Sequence, residues 1–593
     1  MKKVLCVFVS LCSITIAMGQ VQVKPFALTD VKLLPSRFLR NMQRDSAWIA
    51  SIPVDRLLHS FRNTAGVYSG KEGGYDDGLR LGGWESLDCD LRGHITGHLL
   101  SAMANLQMKQ KADSLVQGLA EVQKQYGTGY LSAFGEGLID RNLAGKGGVW
   151  APWYTLHKIL QGLIDQYTMC GNKTALEVAR GMGDWAYNKT KNLTDQQRQK
   201  AIRNEFGGFN EAMYNLYSIT RDEIASPHSD QRSEKYLQVA RFFYHNDKID
   251  PLKQGNNDLG TNHANTFIPK LLGECKNYEL FGAEDSRQAA ENLFWTLVND
   301  HAFVTGEISD KEHLFKPETQ SKHLTGYDGE NCCTYNLLKL ADRIFTYQPD
   351  SKIADYYERA LYNHILGQQD TLTSMVCYFT PLMTGGYRLY STRDSSFWCC
   401  VGSGFESHAK YQSSIYFHNN KELYVNLFIP SELNWDGTIV RQETAFPESN
   451  KTMITASSNV TMKVRYPYWA TYMKVNGKKV KADKDGYVLI KNNKKAEIEF
   501  GMSLHEEATK DDPSRVALLY GPIVLGGRLA EVAHPFSDPT KHNDYYTFNY
   551  GKHADVRLGE VKHLAGLRFK SNGIQIQPFY DLQHCRYVVY WKK

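Results

Sequence analysis

Leu156-His157-Lys158-Ile159-Leu160-Gln161-Gly162-Leu163-Ile164-Asp165-Gln166-Tyr167-Thr168-Met169 is the stretch on which the fold turns. Leu156, Ile159, Leu160 and Leu163 recur at the three- and four-residue steps that line one face of a helix. Gly171-Asn172 ends that helix, and Thr174 with Glu177 predicts a capping box for the next. The same period runs through Ile95–Leu106, Ala175–Tyr187, Tyr236–Tyr244, Ala289–Val298, Leu337–Phe345 and Ile353–Ile365. From about Pro35 to Gln368 the pattern fits eleven or twelve helices joined by Gly- and Asn-rich loops. That many paired helices in one domain predict an (α/α)6 toroid rather than a four-helix bundle. After about Lys410 the period changes. Leu423–Ile429, Val460–Tyr466, Tyr487–Ile490, Ala496–Phe500 and Val516–Val524 are short β-rich runs, with turn signals at Asn476-Gly477 and Asp485-Gly486. They predict all-β, sandwich-like domains, with a division near Asp511–Ser514. The expected layout is a signal peptide over 1–20, a helical catalytic domain over 21–410, a β-sandwich over 411–510 and a second β-rich domain over 511–593.

The chain has 593 residues, 42% of them hydrophobic, enough for large cores in several domains. Its formal net charge of +5 is scattered, which argues against a nucleic-acid partner. Lys2 and Lys3 precede an apolar run from Val4 to Met18, with Ala17 and Gly19 near an expected cut. This is the layout of a signal peptide, too short for a membrane span, and implies an exported protein, periplasmic or secreted. Nine cysteines remain once Cys6 and Cys12 leave with that segment. Four of them form the doublets Cys332-Cys333 and Cys399-Cys400. In an oxidising compartment these could be disulfides. The alternative is a thiolate metal site.

Several segments carry side chains suited to chemistry. His94 and His98, in Arg92-Gly93-His94-Ile95-Thr96-Gly97-His98, share a helix face, but Ile95 stands where a zinc peptidase needs glutamate. His157 lies beside the apolar stripe of its helix, and Asn262-His263-Ala264-Asn265-Thr266 packs sugar-matching donors and acceptors at a helix start. Glu205 and Glu211 flank Gly207-Gly208 and offer two carboxylates. Glu330-Asn331-Cys332-Cys333 and Trp398-Cys399-Cys400 together supply the thiolates and carboxylate that zinc prefers. A thiolate beside a bound metal stays ionised at neutral pH and is a strong nucleophile. Glu312, in Lys311-Glu312-His313 and 18 residues before Glu330, is the upstream candidate to protonate a leaving group.

Asp90–Ala102, Val149–Lys158, Glu205–Glu211, His263–Lys270, Lys311–His313, Glu330–Cys332 and Phe397–Glu406 recur, in this order, in a known family. The chain resembles the β-L-arabinofuranosidases of glycoside hydrolase families 127 and 146, leaning toward 146. The resemblance implies an (α/α)6 catalytic barrel with β-sandwich domains and one zinc ion. It implies Glu330, Cys332, Cys399 and Cys400 as zinc ligands, Cys399 as nucleophile and Glu312 as acid/base. It places His157, His263 and Tyr378 on the sugar, and His98 and Asn210 are expected beside them. The implied reaction is retaining hydrolysis that releases β-linked L-arabinofuranose from an oligosaccharide or polysaccharide. Cys333 is an additional thiol next to a ligand position, and the histidine expected near Phe209 is not evident. Two further classes remain open: another helical-toroid lyase or glycosidase with a structural zinc, and a non-catalytic carbohydrate-binding protein.

Overall fold

A computed structural model describes residues 21–67, 78, 80–221, 232–540, 544 and 553–593; the expected signal peptide lies outside them. Six helices form a ring: His94–Asn105, Pro152–Cys170, Phe209–Arg221, Ala264–Phe281, Asn331–Tyr347 and Cys399–His408. Each packs on the next, and the sixth packs back on the first. Around them stand Arg37–Ser51, Lys109–Tyr126, Lys173–Thr190, Arg232–Phe242, Glu284–Thr296 and Ser351–Ala360. Sequence character separates the layers. In the inner His94–Asn105 helix every residue from His94 to Ala104 is buried, whereas the outer Lys109–Tyr126 helix buries only one stripe. A helix apolar all round belongs inside and a striped one outside. The arrangement fits the expected (α/α)6 toroid.

The helices outnumber the expected eleven or twelve. Gly137–Leu143, Asp195–Ile202 and Asn246–Lys253 are too short to show a period and were not anticipated. The helix after Gly171 is capped by Asn172, whose side chain accepts from the Ala175 amide, and not by Thr174. Asn172 lies two residues nearer the left-handed Gly171 and captures the orphan amide first.

Glycines set how closely the ring can close. A β-carbon on Gly97 would lie 2.2 Å from the Lys158 carbonyl carbon, and one on Gly162 would lie 2.5 Å from the Gly97 carbonyl oxygen. The first two ring helices therefore touch backbone to backbone. Gly→Ala inside a helix ordinarily stabilises by up to ~1 kcal/mol. At Gly97 overpacking outweighs that gain, and Gly97→Ala should lower unfolding stability by about 1–3 kcal/mol in a denaturant titration. A stabilised variant would show that the two helices can separate freely.

The β region comprises two sheets. The first contains Tyr416–His418, Leu423–Val425, Ser431–Trp435, Thr438–Thr444, Lys451–Arg465, Met473–Val475, Lys478–Lys479 and Tyr487–Phe500. Asn476 and Gly477 both have positive φ and turn Met473–Val475 into Lys478–Lys479, as the Asn-Gly signal predicts. This sheet also takes two strands from the start of the chain: Lys24–Pro25 pairs with Phe417–His418, and Val31–Leu33 pairs with Ser431–Leu433. The residues before the first helix thus belong to the first sheet and not to the helical body. The second sheet begins at Leu504–Ala508, which pairs with Arg515–Tyr520. Asp511–Ser514 is consequently a turn within the second sheet and not a boundary between sheets. Buried Arg465 locks the first sheet to the toroid through ion pairs with Asp355 and Glu358, and Trp469 donates to Glu358 at 2.8 Å.

Candidate active site and metal centre

The ring brings the N-terminal ends of its helices to one side. Leu91, Ala151, Tyr154, Glu205, His263, Asn265, Glu330 and Cys399 lie at or just before those ends, and all eight line one small cavity closed by Trp84, Trp150, Glu312 and Tyr378. Each N-terminus carries roughly half a positive charge and several orphan amides. Converging them makes this the place in the toroid best suited to hold anions.

Two of these ends carry the thiols. Cys399 and Cys400 open the Cys399–His408 helix; Glu330 caps the Asn331–Tyr347 helix, and Cys332 lies in its first turn. One ligand atom from each of Glu330, Cys332, Cys399 and Cys400 lies within 4.8 Å of all the others, and all four residues are buried. The sulfurs of Cys332 and Cys400 are 3.4 Å apart and those of Cys399 and Cys400 4.0 Å apart. A tetrahedral zinc with bonds of about 2.3 Å spaces its sulfurs roughly 3.8 Å apart. The nine described cysteines are free thiols; all are buried except half-buried Cys170. The disulfide alternative for the doublets is therefore not realised.

Electrostatics point the same way. Burial pushes the Cys399 and Cys400 thiols well above the ordinary range. Burial also opposes ionisation of Cys332, but hydrogen bonds from Cys399 and Cys400 outweigh it and bring that thiol down to about 6. Burial and the neighbouring Cys399 raise Glu330 well above the usual carboxylate value. By itself the buried cluster thus resists ionising all four groups together. A divalent cation is the natural means of ionising them, so this Glu/Cys3 set could hold a metal ion. Cys333 stands outside the four. Its thiol donates to Glu330 Oε2 at 3.0 Å, which fixes the carboxylate from behind and leaves Oε1 toward Cys399 at 4.0 Å. That arrangement gives Cys333 an orienting place, and Cys332 the inward one.

Cys399 also faces away from the cluster. Its Sγ is 3.4 Å from the Tyr378 hydroxyl, which in turn donates to Glu312. Glu312 Oε2 is 3.5 Å from His263 Nε2. A thiol, a phenol, a carboxylate and an imidazole therefore form one row along the cavity. Lys311 and Glu312 hold left-handed φ values of 50° and 67°, costly for non-glycine residues. The Glu312 carbonyl accepts the Ala264 amide at 2.8 Å, which ties the strained loop to the His263 helix. Burial works against ionising Glu312, yet His263 and Tyr378 outweigh it and hold the carboxyl below its usual value. Across the cavity burial raises the Glu205 carboxyl, against the pull of His263 and Lys270.

Cys399, Glu312, Glu330, His263 and Tyr378 thus line one cavity. His157, His98 and Asn210 do not reach the cavity wall. His157 Nδ1 accepts the Gly208 amide at 3.1 Å. His98 is clamped between Glu406 at 2.5 Å and the Tyr154 hydroxyl at 3.1 Å. Asn210 donates to the Lys270 carbonyl at 3.1 Å. The three lie behind the wall, where they hold helix to helix, and His98 also orients Tyr154. Glu205 and Glu211 are not a working pair: Glu205 lines the cavity, while Glu211 turns to Lys339 at 3.2 Å. Trp84, Trp150, Tyr154 and Asn265 were not singled out individually. Trp150 and Tyr154 fall within Val149–Lys158 and Asn265 within Asn262–Thr266, but no spacing in the sequence tells that their side chains face the cavity.

Among the described residues no helix is long and apolar enough to cross a membrane. No curated protein sequence matches the chain. Among solved structures, a GH127 β-arabinofuranosidase superposes with a TM-score of 0.69 at 18% identity, covering 96% of this chain and 98% of its own. The GH127 β-L-arabinofuranosidase from Geobacillus stearothermophilus T6 superposes at 0.65 and 17% identity, covering 95% and 99%. These likenesses establish a shared fold. The GH127 β-L-arabinofuranosidase catalytic-domain model matches residues 30–413, and the GH127 middle-domain model matches residues 422–505. Nothing separately favours family 146. With most of its length matched by these two models, and a thiol–carboxylate cavity at the heart of the first, the chain belongs to the glycoside hydrolases of family GH127, the β-L-arabinofuranosidases.

Proposed function

We propose that this chain is a retaining hydrolase that releases β-linked L-arabinofuranose from plant-type glycans, with Cys399 as nucleophile and Glu312 as acid/base. The row Cys399–Tyr378–Glu312 carries this reading, because it aligns a sulfur nucleophile with a proton-bearing group in one closed cavity. Glu330, Cys332, Cys399 and Cys400 would hold a zinc ion. When bound, zinc keeps the thiolates ionised at neutral pH and tempers their basicity, so that sulfur is also a competent leaving group. Cys399 Sγ forms a bond to the anomeric carbon as the bond from that carbon to the glycosidic oxygen breaks, and Glu312 delivers its proton to that oxygen. Water then attacks the same carbon, Glu312 takes the water proton, and the carbon–sulfur bond breaks. Two inversions return the sugar with its configuration retained. Tyr378 positions both reacting groups. His263, raised by Glu312 despite burial, shares its proton with that carboxylate.

One observation favours a second assignment of the acid. A general acid must carry a proton at rest; burial shifts the Glu205 carboxyl toward its protonated form, whereas His263 and Tyr378 shift Glu312 toward its ionised form. The two separate on leaving-group dependence. Glu312→Gln should cost about 10²–10⁴-fold on an alkyl β-L-arabinofuranoside but far less on the p-nitrophenyl glycoside, whose departure needs little protonation. Glu205→Gln should slow both alike. The reverse pattern would make Glu205 the acid and leave Glu312 as its electrostatic partner.

A further inference from the structure

The cavity around Cys399 is small and closed by Trp84, Trp150 and Tyr378, so most of a glycan must lie outside it. On the proposed reading Glu312 touches the glycosidic oxygen, and the leaving group therefore extends past the Glu312 loop. A second hollow, of about 440 Å³, opens there. The two are neighbours through a ring pair: His263 lines the first, His313 lines the second, and their centroids are 5.1 Å apart.

The second hollow is cationic. Lys311, Lys316 and Lys322 line it with His313 and His323, and Asp310 is its one carboxylate. Asp310 is already engaged: it accepts from Thr325 Oγ1 at 2.7 Å and faces His323 Nδ1 at 2.9 Å. Among the described residues none of the three ammonium groups is paired with a carboxylate. Lys311 lies 5.6 Å above the Tyr327 ring, and Lys316 and Lys322 are exposed. The floor is His323, 29% exposed and stacked at 4.5 Å and 15° on buried Phe315, which leaves its outer ring face open to a sugar ring. Three unneutralised ammonium groups around an aromatic floor suit a sugar that carries a carboxylate. On a chain whose net charge is only +5, this is a local concentration of charge and not a general one.

We propose that the leaving-group side recognises a uronic acid, so that the substrate is β-L-arabinofuranose attached to an acidic glycan. This rests on the hydrolase reading for its direction, and the test separates the two. In the first arm, glucuronate is titrated into the wild-type chain and into Lys316→Ala/Lys322→Ala, with the ring resonances of His313 and His323 followed by NMR. Shifts are expected in the wild type, not in the double variant, and not with glucose. Absence of any glucuronate-specific shift overturns the proposal whether or not the chain turns over. In the second arm, an arabinofuranosylated uronate oligosaccharide is compared with its carboxyl-reduced counterpart. The acidic substrate should be cleaved with kcat/KM about tenfold higher, the worth of one charge-assisted hydrogen bond. That preference should vanish in the double variant and shrink with added salt, while p-nitrophenyl β-L-arabinofuranoside is cleaved equally by both proteins. Equal rates on acidic and reduced glycans in a chain that cleaves the p-nitrophenyl glycoside also overturn the proposal. No cleavage of the p-nitrophenyl glycoside, with glucuronate still bound, would instead count against the arabinofuranosidase reading and leave the uronate site standing.

Discussion

Cys399→Ser should lose turnover of p-nitrophenyl β-L-arabinofuranoside by at least about 10³-fold, the scale on which removal of a covalent nucleophile acts. Cys399 differs from the other cluster cysteines in where it faces: Cys332 and Cys400 approach each other at 3.4 Å, whereas Cys399 is also in contact with Tyr378 and lines the cavity. A serine hydroxyl is close in size but is hardly ionised at neutral pH. Metal content measured on both proteins gives the result its meaning. Activity lost from a variant that still holds one ion per chain assigns the loss to the missing attack. A variant that keeps near wild-type turnover would leave the thiol a ligand only, and the toroid would need another nucleophile.

Removing the metal should have an effect of the same order. The purified protein is expected to hold about one zinc per chain, and a strong chelator should abolish activity, with zinc restoring it. The pH dependence has a defined sign. In the metal-free cluster burial holds the Cys399 and Cys400 thiols and Glu330 well above their ordinary values, which favours their protonated forms. Metal binding must displace those protons, so affinity rises with pH and falls on acidification. Dialysis under mildly acidic conditions should release zinc that dialysis at pH near 8 retains. Cys332→Ala should weaken zinc binding by more than about 100-fold, since it removes a direct ligand and even outer partners are worth 10–100-fold. Full activity in a chain free of metal would overturn the role given to this cluster.

The sequence reveals this site unevenly, for physical reasons. The thiol cluster is legible because two cysteine doublets and a glutamate are a rare conjunction whose chemistry is restricted to a few uses. The helices are legible because Leu156, Ile159, Leu160 and Leu163 follow a period that only a helix satisfies. Ring closure is hidden, because it depends on glycines such as Gly97 and Gly162 meeting across more than sixty residues. Cavity walls are hidden for the same reason. His98 and His157 carry side chains as suitable as His263, and only the rotation of each helix decides that the first two brace the wall while the third lines it. The start of the second sheet was misplaced because Asp511–Ser514 has the composition of a linker, and a hairpin turn shares that composition.

The pairing of the earliest strands carries a consequence for synthesis. Lys24–Pro25 and Val31–Leu33 find their partners some four hundred residues further along, at Phe417–His418 and Ser431–Leu433. The chain that leaves a ribosome first can therefore settle only after the entire toroid has been made, and such long-range pairing is slow to form. Until then those strands are unsatisfied edges, open to mispairing with other chains. The helical body is thus bracketed by a clasp whose two halves come from opposite ends of it. A fragment cut at residue 410 would keep one half of the clasp and lose the other, so expression of the toroid alone should give a less soluble protein than the full chain.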